Sequence, residues 1–136
     1  MRILGMDLGE KRIGLAVSDE LGITAQGLFT LKRTELKEDL RQLVKIIQEK
    51  EITKLVVGLP KNMNGSLGPQ ADRVKSFVIL LTKECPLEVV YWDERLTTVA
   101  AQRVLIEGDV SRKKRRKVVD KIAAVIILQS YLDNSR

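Results

Sequence analysis

The sequence predicts an α/β domain built on a mixed five-stranded sheet with helices on both faces, in the order βββαβαβαα. Three observations carry this. The opening third holds three segments of alternating apolar character joined by short connections. From Leu36 the apolar period changes to that of a helix. Short apolar runs then alternate with helical stretches, the pattern of parallel strands linked by crossovers.

Residues 2–8, RILGMDL, place Ile3, Gly5 and Asp7 on one strand face and Leu4, Met6 and Leu8 on the other. Gly9-Glu10-Lys11-Arg12 turns the chain into 13–18, IGLAVS, where Ile13, Leu15 and Val17 lie together. Gly22 breaks the next stretch, and 23–31, ITAQGLFTL, forms the third strand. The short connections make these three antiparallel neighbours. Leu36, Leu40, Leu43, Val44 and Ile47 then recur at i, i+4, i+7, i+8 and i+11, the stripe of an amphipathic helix. Thr34 is its expected N-cap, with Glu35, Glu38 and Asp39 near the positive end of the dipole.

Residues 54–59, KLVVGL, form a strand ended by Pro60, and the loop after it carries the turn residues Asn62, Asn64, Gly65 and Gly68. Pro69 suits the first turn of a helix running to about Lys83, with Ala71, Val74, Val78 and Leu81 as its apolar positions. Cys85-Pro86 ends that helix, and 87–92, LEVVYW, is the fifth strand. Two helices close the chain. One covers about 98–107 and stops at Gly108; the other starts from an N-cap at Ser111 and runs to about Leu132. The 136 residues fit a single domain, 1–136.

Composition narrows the chemistry. One cysteine, Cys85, and no histidine exclude an internal disulfide, a Cys-based zinc cluster, His-ligated zinc and every His-dependent triad. Any catalysis must use carboxylates, lysines, hydroxyls or bound metal. The net charge of +6 sits in one segment, Arg112, Lys113, Lys114, Arg115, Arg116 and Lys117. Removing those six from the 24 basic residues leaves them equal to the 18 acidic ones. A cation block on a neutral body suits either a polyanion or a solvated surface. In the first turns of a helix such a block opposes the dipole, and an anionic ligand would explain its presence there. Aromatics are only 4%, so base stacking is not the main mode of recognition. No run of 18 apolar residues exists, and MRILGMDLGE has no signal-like apolar stretch, so no membrane span and a cytoplasmic location are expected.

Three acids stand out. Asp7 interrupts an apolar strand; it is either a ligand-bearing carboxylate or a structural acceptor for amides at the Gly9 turn. Asp120 shares its helix face with Arg116, Ala123, Ala124 and Ile127, between a cationic turn and an apolar one; an ion pair with Arg116 or Lys117 is the alternative. Glu94, in Trp92-Asp93-Glu94-Arg95, lies at the carboxyl end of the last strand, where ligands of open α/β sheets collect. Asp93 is its rival, since adjacent strand residues face opposite ways. Brought together, the three would form a hard oxygen donor set for Mg²⁺ or Mn²⁺. Two such ions ~3.5–4 Å apart can activate water and stabilise the leaving oxygen of a phosphodiester.

DLGEKRIGLAVSD at 7–19, GLPKNMNGS at 58–66, DERLTT at 93–98 and VDKIAAVIILQSYLD at 119–133 resemble the YqgF family, in the family's order and across nearly the whole chain. Its members are described both as Holliday junction resolvases and as pre-16S rRNA nucleases. The resemblance implies an RNase H-like fold, with Asp7, Glu94 and Asp120 as catalytic metal ligands. It implies a Mg²⁺- or Mn²⁺-dependent endonuclease that matures the 5′ end of 16S rRNA. Lys11, Arg12 and Arg95, beside the acids, and Arg112 to Lys117, further away, would hold phosphates. A four-way-junction resolvase, which needs a dimer, and a non-catalytic RNA-binding protein of ribosome assembly are the alternatives. Expected partners are rRNA precursor or branched DNA and the ribosome, with the protein a monomer or homodimer.

Overall fold

The computed structural model describes residues 2–60, 67–94 and 112–135, with side chains from Ile122 onward in the last segment. The elements are β1 (Arg2–Leu8), β2 (Arg12–Ser18), β3 (Ala25–Lys32), α1 (Leu36–Glu49), β4 (Ile52–Leu59), α2 (Pro69–Glu84), β5 (Glu88–Asp93) and α3 (Arg112–Asn134). The sheet order is β3-β2-β1-β4-β5. The β1–β2 and β2–β3 pairs are antiparallel; β1–β4 and β4–β5 are parallel. This is the expected mixed sheet. The turn residues Asn62, Asn64 and Gly65, the helix over 98–107, Gly108 and the Ser111 cap lie outside the described residues.

Both sheet faces are apolar because the central strands alternate one hydrophobic set with another. Leu4, Met6, Ile13, Leu15, Leu55 and Val57 pack under α1 and α2. Ile3, Ala16 and Val56 pack under α3 with Ala123, Ala124, Ile127 and Leu128. Small residues bring α3 close: a Cβ on Gly5 would stand 2.7 Å from Leu128 Cβ and 3.2 Å from the Ala124 carbonyl oxygen. Side-chain contacts fix its carboxyl half. Gln129 Oε1 accepts from the Ala25 amide at 2.8 Å, and Trp92 Nε1 donates to Ser130 Oγ at 3.1 Å. Lys54 Nζ donates to Tyr131 OH at 2.9 Å and pairs with Glu88 at 3.2 Å, contacts that raise its pKa. No described helix is long and apolar enough to cross a membrane.

Two local expectations are corrected. β3 begins at Ala25 rather than 23, because Asp19 Oδ1 captures the amides of Ile23 and Thr24 at 2.7 and 3.1 Å. Those two amides hold the Asp19 carboxyl below its ordinary range. Thr34 is not the N-cap of α1. Glu35 occupies that place without a side-chain cap bond, and Leu36 is exposed in the first turn. The Thr34 amide and hydroxyl donate to Asp39 Oδ1 at 3.0 and 3.3 Å. Asp39 is 1% exposed, and its Oδ2 lies 3.5 Å from Arg33 Nε. Asp39→Ala removes the acceptor of two part-buried donors, the Thr34 amide and hydroxyl, and the counter-ion of Arg33. A loss of ~1–3 kcal/mol in denaturant melts is expected.

Candidate active site

The three parallel strands β1, β4 and β5 end at one edge, and the segments that carry Asp7 and Glu94 both reach it. Asp7 is only 5% exposed, in the penultimate position of β1 and on the α3 face. Its partner on β2 is Gly14. On β4 the register Met6–Val57 brings Gly58 alongside, and Gly58 pairs with Trp92 of β5. Asp7 therefore has a glycine, rather than a side chain, beside it on each neighbouring strand.

Glu94 follows β5 and reaches back over this gap. A Cβ on Gly58 would stand 2.8 Å from Glu94 Oε1, 3.3 Å from Glu94 Cγ and 2.5 Å from Ile127 Cδ1. The Glu94 side chain thus lies over Gly58, on the α3 side, one strand spacing (~4.8 Å) from the backbone of Asp7. Asp93 pairs with Leu59, a residue of the opposite core, so strand alternation puts it on the other face.

The turn after β1 is fixed by backbone bonds. The Gly9 amide donates to the Arg12 carbonyl at 2.9 Å, so that amide is not Asp7's. The Arg33 amide donates to the Lys11 carbonyl and its guanidinium to the Gly9 carbonyl, both at 2.9 Å. Arg33, itself held by Asp39, braces the turn that carries Lys11 and Arg12. Lys11 is exposed at the tip; Arg12 is half-buried on the Asp7 face.

Asp120 lies on α3, one turn before Ala124. Tyr131 and Gln129 sit at the amino end of the sheet through Lys54 and Ala25, and Ala124 sits at Gly5. Backing along the helix therefore moves toward the carboxyl end of β1, and the backbone at Asp120 reaches the end of the sheet where Asp7 stands. The side chains of Asp120, Arg112, Lys113, Lys114, Arg115, Arg116 and Lys117 lie outside the described residues, as does all of Arg95.

Asp7 and Glu94 supply oxygen donors, and a buried carboxylate suits a hard cation. The residues present thus fit Mg²⁺ or Mn²⁺. Among the described residues no group of three metal-ligating side chains occurs, and Asp120 is not among them. Two contributors escaped the sequence reading. Gly58 carried a signal, since a glycine inside a strand marks close approach of another group. Arg33 carried none, because its role depends on tertiary contact with the turn.

A family model described as "RuvX: Holliday junction resolvase" matches residues 1–134. The chain is 58% identical over 134 residues to the "Putative pre-16S rRNA nuclease" of Clostridium tetani (strain Massachusetts / E88), covering 98% of this chain and 97% of that one. It is 58% identical over 132 residues to the protein of the same name from Clostridioides difficile (strain 630), covering 97% and 94%. Among solved structures, T. thermophilus RuvC in complex with Holliday junction substrate superposes with a TM-score of 0.62 at 14% identity, over 99% of this chain and 96% of that one. The fowlpox virus Holliday junction resolvase gives 0.58 at 17% identity, over 100% of both chains. At such identities the two structures speak for the fold alone, which is RNase H-like. The match over residues 1–134 covers every described element, and the chain belongs to the RuvX (YqgF) family of nucleases, hydrolases acting on phosphodiester bonds.

Proposed function

We propose that the protein is a cytoplasmic, divalent-metal-dependent endonuclease that processes the 5′ end of pre-16S rRNA in ribosome biogenesis. The observation that carries this is the approach of Glu94 to the strand beside Asp7 across Gly58, in a chain 58% identical to relatives named for that RNA. Asp7, Glu94 and Asp120 hold Mg²⁺ or Mn²⁺. The bound metal supplies water activation and neutralises charge on the phosphoryl group. Lys11, Arg12 and Arg95 hold phosphates next to the cleaved one, and Arg112 to Lys117 hold the backbone further out. A junction resolvase is the second reading, favoured by the family description and requiring a homodimer.

Cleavage of a pre-16S 5′ fragment and of a four-way DNA junction, each with Mn²⁺, Mg²⁺ or EDTA, tests the proposal. The RNA is cut with metal and intact in EDTA. Selective cutting of the junction would favour the second reading; binding without cutting would favour a ribosome-assembly role.

Gly58→Ala is a second test of the same geometry. The added methyl meets Glu94 Oε1 and Ile127 Cδ1, so the Glu94 carboxylate and the end of the Ile127 side chain must both move. Because both atoms end flexible side chains, the cost in stability is expected at or below the low end of the ~1–3 kcal/mol usual for overpacking. Cleavage by Gly58→Ala is expected to fall toward that of Glu94→Gln, while a melt shows the fold retained.

A further inference from the structure

Four cations lie within the strands: Arg2, Arg12, Lys32 and Lys54. The two at the amino end of the sheet face acids. Arg2 is 4.0 Å from Glu20, and Lys54 is 3.2 Å from Glu88. The two at the carboxyl end face each other instead. Arg12 of β2 and Lys32 of β3 are register partners. Their neighbours Ile13 and Leu31 are buried under α1 and α2, so alternation puts Arg12 and Lys32 on the α3 face.

Like charges directly opposite each other weaken a sheet. Arg12 is also half-buried, which adds desolvation. Among the described residues neither cation has an ion pair or side-chain hydrogen bond. The next pair along the same face is Gly14–Thr30, and Gly14 is the partner of Asp7. The two cations therefore stand two residues, ~6.6 Å, beyond the row of Asp7 on the same face.

We propose that Arg12 and Lys32 form a clamp on the sugar–phosphate backbone, gripping phosphates that flank the cleaved one on the β2–β3 side. The clamp rests on the nuclease reading and deepens it. It adds Lys32 to the binding residues and sets the path of the strand, from the carboxylates toward β3.

The test is equilibrium binding of a labelled RNA hairpin with a 5′ single-stranded extension, in EDTA, across a salt series. Lys32→Gln loses ~0.7–0.9 of the slope of log K against log[salt]. At 0.1 M salt that is about 5–8-fold weaker binding. Lys32→Arg restores the wild-type slope. Lys83→Gln, which removes the same charge from the last turn of α2, leaves it unchanged. In cleavage with metal, Lys32→Gln raises KM and leaves kcat near wild type, as expected when uniform binding is lost. Wild-type binding with an unaltered slope in Lys32→Gln overturns the clamp alone. RNA that does not bind wild type even at low salt overturns the clamp together with the nuclease reading.

Discussion

Asp7→Asn and Glu94→Gln each lose cleavage by on the order of 10²–10³-fold, with the fold intact. A 10³-fold loss is ~4 kcal/mol of transition-state stabilisation. Both substitutions keep side-chain size and remove only charge, so packing is not the cause. Asp7 is nearly buried, with Gly14 and Gly58 beside it on the neighbouring strands. Glu94 is placed by the absence of a side chain at Gly58, and Asp93, on the other face, cannot substitute for it. Residues that act as a unit are not additive, so the double variant is little worse than the worse single. Asp93→Asn stays near wild type. Single-turnover rates with saturating enzyme, beside thermal melts, check all four; an inactive Asp93→Asn with an active Glu94→Gln would reverse the assignment.

Neutralising Arg112 to Lys117 to glutamine has the largest expected effect on binding. The six residues account for the whole net charge of +6 and begin α3. Cations in the first turns of a helix oppose its dipole by ~0.3–1 kcal/mol each close to the end. That penalty makes sense where polyanion binding offsets it. The direction of α3 over the sheet carries its amino-terminal turns toward the end of β1 that holds Asp7. If all six contact phosphates, the slope of log K against log[salt] falls by ~4–5, at 0.7–0.9 per contact. The loss is similar for RNA and DNA, since phosphate contacts carry no sequence information. Helix content is unchanged or higher. An unaltered slope would return the segment to the status of a solvated surface.

The sheet was legible because its signal is local. Alternation in β1 and β2 separates Ile3, Gly5 and Asp7 from Leu4, Met6 and Leu8, and the two cores divide along that line. The paired alanines of α3 and Gly5 of β1 together allow the close approach of helix and sheet, and all three small residues are visible in the sequence. Boundaries were less legible where a side chain competes with the backbone for amides. Asp19 delays β3, and Asp39 draws in Thr34 ahead of α1. Asp39 looked like an ordinary first-turn acid, yet it is buried against Arg33, and only the packing of α1 on the sheet reveals that. At the site, single acids in apolar or strand-end contexts were visible from one residue's surroundings. Gly58, as a glycine inside a strand, signalled a close approach but not its partner, and the Arg12–Lys32 pairing gave no signal, because both partners depend on register between separate strands.

Melting with and without Mn²⁺ at matched ionic strength distinguishes an Asp7 that belongs to a shared metal site from one that is only structural. Carboxylates brought into one cleft repel, and a cation reverses that effect. A ligand at 100 times its Kd adds ~2.7 kcal/mol when only the folded state binds it. For a domain of this size that is worth several degrees in Tm. Wild type is expected to melt higher with Mn²⁺ and to fall back with EDTA. Asp7→Asn is expected to melt above wild type in EDTA, having lost one repelling charge, and to gain less from the metal. An equal gain in the two proteins would mean that Asp7 is not a metal ligand and that the shared site does not exist.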